Sequence, residues 1–428
     1  MGTLYDWSTE YRPPAAWDQS FAPLSLPAML ADSVARRGEA PMLDFMGRRF
    51  SYAEVADGVA RVARGLQQRG IGKGSRVGLF LPNVPHYVAA YYGALAAGAT
   101  VVNFSPLYTV AELEAQVEDS GTDTLFTISA SALLPTALAV LEGSSLKRLV
   151  VGSIAGGLPA AKSILYRLFR RKETAAVPDD PRIIRFSALT DNDARPDPVA
   201  IDPEGDVALI QYTGGTTGTP KGAMLTHQNL TANARQVNAI DPDRDADDRI
   251  LGVLPFFHVF ANTCVLNRTV LNGGMIAMLP RFDAKQALQT ITRTKATALP
   301  GVPTMYQALL DHPCRTPALV VGAFEKTDDI AIRSRKAVKL AESGAAVEEK
   351  PRELLTEGDV TPAIFKTMMH AVGDEIIAEK NWLSELDGVI GDGDHGVTME
   401  IGWKAVQRAL EDTQDDETIE GICKRMAK

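Results

Sequence analysis

The residues best suited to chemistry lie in the run Tyr212-Thr213-Gly214-Gly215-Thr216-Thr217-Gly218-Thr219-Pro220-Lys221-Gly222. Glycines let backbone N–H groups turn toward a polyanion, threonine hydroxyls add donors, and a lysine supplies positive charge. An apolar segment that reads as a buried strand, Asp206–Tyr212, precedes the run, and a helix is expected to begin near Thr226. The order strand, loop, helix predicts phosphate binding. This is not a Walker A loop, in which Ser or Thr follows Gly-Lys, because Lys221 stands between Pro220 and Gly222. A flexible glycine-rich turn would share the glycines but has no need of four threonines and a lysine.

A second cluster lies toward the C-terminus. Asp387, Asp392 and Asp394 fall within eight positions, with Gly391, Gly393 and Gly396 freeing the backbone and His395 beside them. Three hard carboxylates on a tight glycine turn suit Mg²⁺, which prefers oxygen ligands and keeps waters for phosphate contact. The spacing does not match an EF-hand loop. A solvated acidic turn would have the same composition, so that alternative stays open.

Elements that position these residues follow from periodicity. From Leu24 to Pro313, helical periods alternate with short apolar runs, the pattern of an α/β fold with mostly parallel sheets and flanking helices. Helices are expected at Tyr52–Arg69 and Val84–Ala97, and buried strands at Arg76–Leu81, Thr100–Asn103, Lys147–Gly152 and Asp206–Tyr212. Gly98 and Gly274 each follow a helix-like stretch where a reversal needs positive φ. Pro178–Pro203, rich in Pro and Asp, reads as a surface connection. Residues 164–172 mix apolar and basic side chains at near-helical spacing. They fit either an anionic membrane surface, as a peripheral contact, or a helix packed on its own domain. Composition shifts after Pro313, where 315–359 reads as a linker rich in Lys, Glu and Ala. From 361 to 410 the period is helical, giving a short all-α segment interrupted by the aspartate cluster.

A length of 428 residues favours more than one core. The net charge of -9 argues against nucleic acid as a partner. Three unpaired-looking cysteines, Cys264, Cys314 and Cys423, fit a reducing cytoplasm and give no zinc spacing. Neither a signal peptide nor a membrane-spanning run is expected.

The glycine-rich run resembles the signature loop of the adenylate-forming enzymes, which include acyl-CoA synthetases. Leu81-Pro82-Asn83, Gly93-Ala94-Leu95-Ala96-Ala97-Gly98-Ala99, Asn103-Phe104-Ser105-Pro106-Leu107-Tyr108, Leu254-Pro255-Phe256-Phe257-His258-Val259-Phe260 and Gly301-Val302-Pro303-Thr304 are similar to family segments in the same order. The resemblance spans 24–313 and implies the N-terminal domain of an adenylate-forming enzyme. It implies that ATP and a fatty acid, weakly favoured as long-chain, form an acyl-adenylate with Mg²⁺, and that coenzyme A then displaces AMP. The resemblance implies further that Lys221, Thr217 and His258 take the catalytic roles, and that Thr213, Gly214, Gly215, Thr216, Thr217, Gly218 and Lys221 hold the nucleotide.

No tyrosine occurs after Tyr306, so the family's two later tyrosine-bearing motifs are absent. A truncated domain with much-reduced ligase activity is therefore expected. Leu386-Asp387-Gly388-Val389-Ile390-Gly391-Asp392-Gly393-Asp394-His395-Gly396 resembles the ADP-binding L domain of dihydroxyacetone kinases. That resemblance, expected over 361–428 after a linker at 314–360, implies that Asp387, Asp392 and Asp394 hold Mg²⁺, that His395 lies at the nucleotide, and that a kinase partner subunit completes the site. Three readings stay open: a fatty-acid–CoA ligase, a kinase-type phosphotransferase, and a fusion of two partial genes without joint activity.

Overall fold

The computed structural model describes residues 19–159, 162–163, 173–213, 220–241, 246–312, 361–381, 395–411 and 418–426. The chain divides into two compact units, Met1–Thr213 with Lys221–Ile330, and Gly214–Pro220 with Ala331–Lys428.

The first unit carries two sheets. Strands β1 (Pro41–Phe45), β2 (Arg48–Ser51), β10 (Arg249–Gly252) and β11 (Met275–Met278) form a four-stranded sheet in the order β10-β11-β1-β2. Seven more form the second sheet: β3 (Arg76–Leu79), β4 (Thr100–Asn103), β5 (Thr124–Ile128), β6 (Arg148–Gly152), β7 (Ile183–Arg185), β8 (Val207–Thr213) and β9 (Lys221–Thr226). Their order is β7-β6-β5-β3-β4-β8-β9, parallel throughout except for the final β8–β9 pair. The α/β class and mostly parallel pairing are as the sequence implies.

Helices α1 (Leu26–Arg37), α2 (Tyr52–Gln67), α3 (Pro85–Ala96), α4 (Val110–Ser120), α5 (Leu134–Gly143), α6 (His227–Ala239), α7 (Ala284–Thr294) and α8 (Pro303–Asp311) flank these sheets. Helix α2 starts at a capping box, in which Glu54 N–H donates to Ser51 Oγ at 3.1 Å and Ser51 N–H donates to Glu54 Oε2 at 2.8 Å. Its buried face, Tyr52, Val55, Val59, Val62, Ala63 and Leu66, keeps the helical period. Helix α3 packs on it closely, since a Cβ at Gly93 would stand 2.6 Å from the Val62 side chain. The pair lies between the sheets, α2 toward β1 and β2, α3 toward β3 and β4. Asp44 on β1 is fully buried and accepts from Arg293 Nη1 of α7 at 2.6 Å, which ties that helix to the four-stranded sheet.

Two local expectations need correction. Gly98 has the expected positive φ of 85°, but after the helical stretch ending at Asn272 the left-handed residue is Gly273, φ 78°, and not Gly274. Gly274 instead faces the Asp248 carbonyl, where a Cβ would stand at 2.8 Å. The Pro178–Pro203 connection contains β7, whose three residues are too few to show a period. The basic segment 164–172 and the linker 315–359 lie outside the described residues.

The second unit is helical, with α9 (Pro362–Ala378), α10 (His395–Glu411) and α11 (Ile419–Met426). Gly373 of α9 permits close packing on α10, because a Cβ there would stand 3.1 Å from the Trp403 ring. Glu400 joins Lys380 at 2.6 Å and Lys404 at 2.7 Å, and these two ammonium groups hold its carboxyl down at about 2.

Two histidines of the first unit are held neutral by burial. His227 accepts from Leu26 N–H through Nδ1 at 3.3 Å, and desolvation lowers its pKa from 6.5 to about 4 despite the Asp206 carboxylate nearby. His86, edge-on to Phe186 at 4.7 Å, is likewise lowered to about 4 by burial and by Arg48. Both folded values lie below the unfolded one, so each contributes stability that is complete above about pH 6.5 and is lost as pH falls toward 4. Urea unfolding at about pH 7 and about pH 4.5 should show that His227→Asn, which keeps an acceptor without a titrating ring, removes about 2 kcal/mol of the wild-type loss.

Candidate functional site

Thr213 ends β8 and Lys221 begins β9, and the two stand opposite one another in the antiparallel register. Strands β8 and β9 are therefore the two arms of a hairpin. The expected helix begins only after β9, at His227, capped by Thr226. Strand β9 escaped the sequence reading because it lies at the sheet edge, so its exposure, with Met224 at 68%, does not alternate cleanly. Thr213 and Lys221 are both exposed, and among the described residues no carboxylate pairs with Lys221. Gly214, Gly215, Thr216, Thr217 and Gly218 lie outside the described residues.

The hairpin is anchored below its loop. Tyr212 Oη donates to Asp119 Oδ2 on α4 at 2.5 Å, and its ring stacks on Phe104 at 6.5 Å between centroids. Burial first, and then the Asp119 carboxylate, push the phenol pKa upward. Across the hairpin, Gly222 pairs with Tyr212, and a Cβ at 222 would stand 2.9 Å from Ile210 and 3.4 Å from the Tyr212 ring. The glycine after the lysine thus makes room for two β8 side chains.

Strand order places Thr213 and Lys221 at a particular point of the sheet. From the carboxyl end of β4 the chain crosses to β5 beyond β3, and from the carboxyl end of β8 it turns the other way to β9. Where adjacent parallel strands diverge in this manner, a crevice opens beyond their carboxyl ends, and ligands bind there in open α/β sheets.

His258 lies on the loop that follows β10. It is exposed, and its Nδ1 accepts from Phe260 N–H at 3.3 Å as the cap of a short turn, Val259–Ala261. With Nδ1 accepting, a neutral ring carries its proton on Nε2. Asn83, 2% exposed and just beyond β3, holds this loop. Its Nδ2 donates to the carbonyls of Gly252 at 3.2 Å and Leu254 at 2.8 Å, and its Oδ1 accepts from Phe256 N–H at 2.8 Å. Tyr87 Oη reaches the Phe256 carbonyl at 2.9 Å. Asn83 and Asn103 stand in segments that resemble the family, yet sequence alone assigns them no task. Their signal is a carboxamide at the end of an apolar strand, where it must find buried partners.

Asp387, Asp392 and Asp394 lie outside the described residues, and His395 opens α10. Among the described residues no group of three His, Cys, Asp or Glu side chains could hold a metal ion. No described helix is long and apolar enough to cross a membrane.

The family model for AMP-binding enzymes matches residues 30–385 of the chain. The chain belongs to the AMP-binding enzyme family. That match continues past Pro313, where the family-like motifs run out. A long-chain-fatty-acid–CoA ligase of Bacillus subtilis (strain 168) is 36% identical over 317 residues, 73% of this chain and 56% of that protein. One from Escherichia coli O157:H7 is 35% identical over 300 residues, 67% of this chain and 52% of that protein. The crystal structure of a long-chain-fatty-acid–CoA ligase from Archaeoglobus fulgidus superposes with a TM-score of 0.57 at 28% identity, covering 68% of this chain and 54% of that one. The chain spans about half the length of the curated relatives it matches.

Replacing Asn83 with Leu keeps the volume but leaves the Phe256 N–H and the Leu254 carbonyl without their partner, while the Gly252 carbonyl keeps the Leu279 N–H at 3.2 Å. At about 1 kcal/mol or more for each stranded group, Asn83→Leu should lower stability by about 2 kcal/mol in urea unfolding.

Proposed function

We propose that this AMP-binding enzyme chain holds ATP by its phosphates at the β8–β9 hairpin and serves the activation of a long-chain fatty acid to an acyl-adenylate and then acyl-CoA. The observation that carries this reading is the pairing of Thr213 with Lys221, which brings a hydroxyl and an ammonium to the two ends of a glycine- and threonine-rich loop. Similarity to fatty-acid–CoA ligases supports the acid and the thiol as co-substrates.

In the first step the carboxylate oxygen bonds to the α-phosphorus and the bond from that phosphorus to the bridging oxygen breaks, releasing pyrophosphate. Lys221 and the loop amides offset the charge gathering on the departing pyrophosphate. Thr217 contributes a hydroxyl donor to the same oxygens. In the second step the coenzyme A sulfur, its proton lost to solvent, bonds to the acyl carbon while the acyl carbon–oxygen bond to the phosphate breaks and AMP leaves. His258, with Nε2 as its free donor, can hydrogen-bond the acyl-phosphate oxygens. Mg²⁺ would supply further charge neutralisation.

By this reading 24–313 is the AMP-binding body, 314–360 a linker and 361–428 a helical segment. A second reading rests on the aspartate motif at 386–396: Asp387, Asp392 and Asp394 hold a Mg-nucleotide beside His395, as the likeness to dihydroxyacetone kinases implies, with a partner subunit supplying the phosphoryl group. Contact of 164–172 with an anionic membrane surface rests on its basic, apolar composition.

One calorimetric titration separates the two nucleotide sites. Mg-ATP affinity should fall about ten-fold in Lys221→Ala, the loss of one charge-assisted contact, and hold in Asp392→Ala. The opposite pattern would favour the kinase-like reading.

A further inference from the structure

An unbroken line of buried polar side chains joins the His258 loop to the strand that carries the hairpin. Tyr87 Oη carries one proton and has two acceptors in reach, the Phe256 carbonyl at 2.9 Å and Asn103 Oδ1 at 2.8 Å, so its hydroxyl bridges the two by sharing that proton between them. Asn103 Nδ2 then donates to Gln211 Oε1 at 3.3 Å. Tyr87 is 0% exposed, Asn103 1% and Gln211 9%. Gln211 stands two residues before Thr213 on β8, and Phe256 two residues before His258.

Core stability alone does not call for these groups. Asn103 closes the β4 run Thr100-Val101-Val102, and Gln211 interrupts the β8 run Val207-Ala208-Leu209-Ile210, where apolar side chains would pack as well. Buried polar groups cost free energy unless they are satisfied, and a satisfied network chiefly selects one arrangement of the parts it joins. The parts joined here come from different sheets, β10 from one and β4 and β8 from the other. No backbone ladder aligns them.

We propose that Tyr87, Asn103 and Gln211 are positioning residues that hold the His258 loop in register with the Thr213–Lys221 hairpin, so that one ligand with a phosphate at the hairpin and an acyl group at His258 meets both. This rests on the hairpin being the nucleotide site proposed above. The Tyr87 ring stacks on Tyr91 at 6.1 Å and stands edge-on to Phe256 at 5.6 Å, so Tyr87→Phe keeps the packing and removes only the hydroxyl. Gln211→Met likewise keeps the volume and removes the amide, and it carries the test if Tyr87→Phe does not fold.

The full chain, labelled with ¹³C at histidine Cε1, gives resonances from six histidines, and His258→Gln identifies the one required. In either folded variant the His258 resonance should split or broaden, and Mg-ATP affinity should weaken about five-fold, the scale of one buried hydrogen bond. A purely structural hydrogen bond would lower the unfolding temperature and leave both readouts unmoved. An unchanged His258 resonance in a folded variant overturns the proposal. Wild-type protein that binds no Mg-ATP refutes the hairpin reading instead, and the resonance still decides the positioning claim.

Discussion

The loops at the carboxyl ends of the two sheets must be aligned by something other than strand pairing, and side-chain amides do it. The backbone from Gly252 to Phe256 leaves β10 and runs into the interior, where each N–H and carbonyl needs a partner. A carboxamide offers both a donor and an acceptor on one rigid plane, and Asn83 uses both ends to close three backbone groups. Because Asn83 follows β3 in the seven-stranded sheet, these bonds also fix that sheet against the four-stranded one. Everything proposed for His258 depends on that junction.

The same economy appears at the hairpin. Lys221 can face solvent at the start of an edge strand because Gly222 beside it gives way to Ile210 and Tyr212. Tyr212 in turn is held by Asp119 from α4. The exposed cation is thus carried on a buried, doubly anchored base, which suits a group that must meet a polyanion without reorganising.

Much of this was legible in the residues. Helices α2 and α3 stand within two residues of expectation, and so do β3, β4, β6 and β8, since each is a long or strongly apolar run. The glycine-rich loop announced itself by composition. What composition could not give was pairing. Strand β9 is six residues of mixed exposure, and only its register with β8 turns a loop before a helix into the turn of a hairpin. Nor could it show that Asn83, Tyr87, Asn103 and Gln211 meet, because their contacts cross up to 173 positions of sequence. Where the aspartates near 392 stand is outside the described residues.

Hydrogen–deuterium exchange with and without Mg-ATP tests the central claim most directly, because it reports on every backbone amide at once. The account predicts slowed exchange concentrated in peptides spanning Tyr212–Gly222, with a smaller effect over Leu254–Phe260. Protection confined to peptides around Asp387–Gly396, or none anywhere, would contradict it.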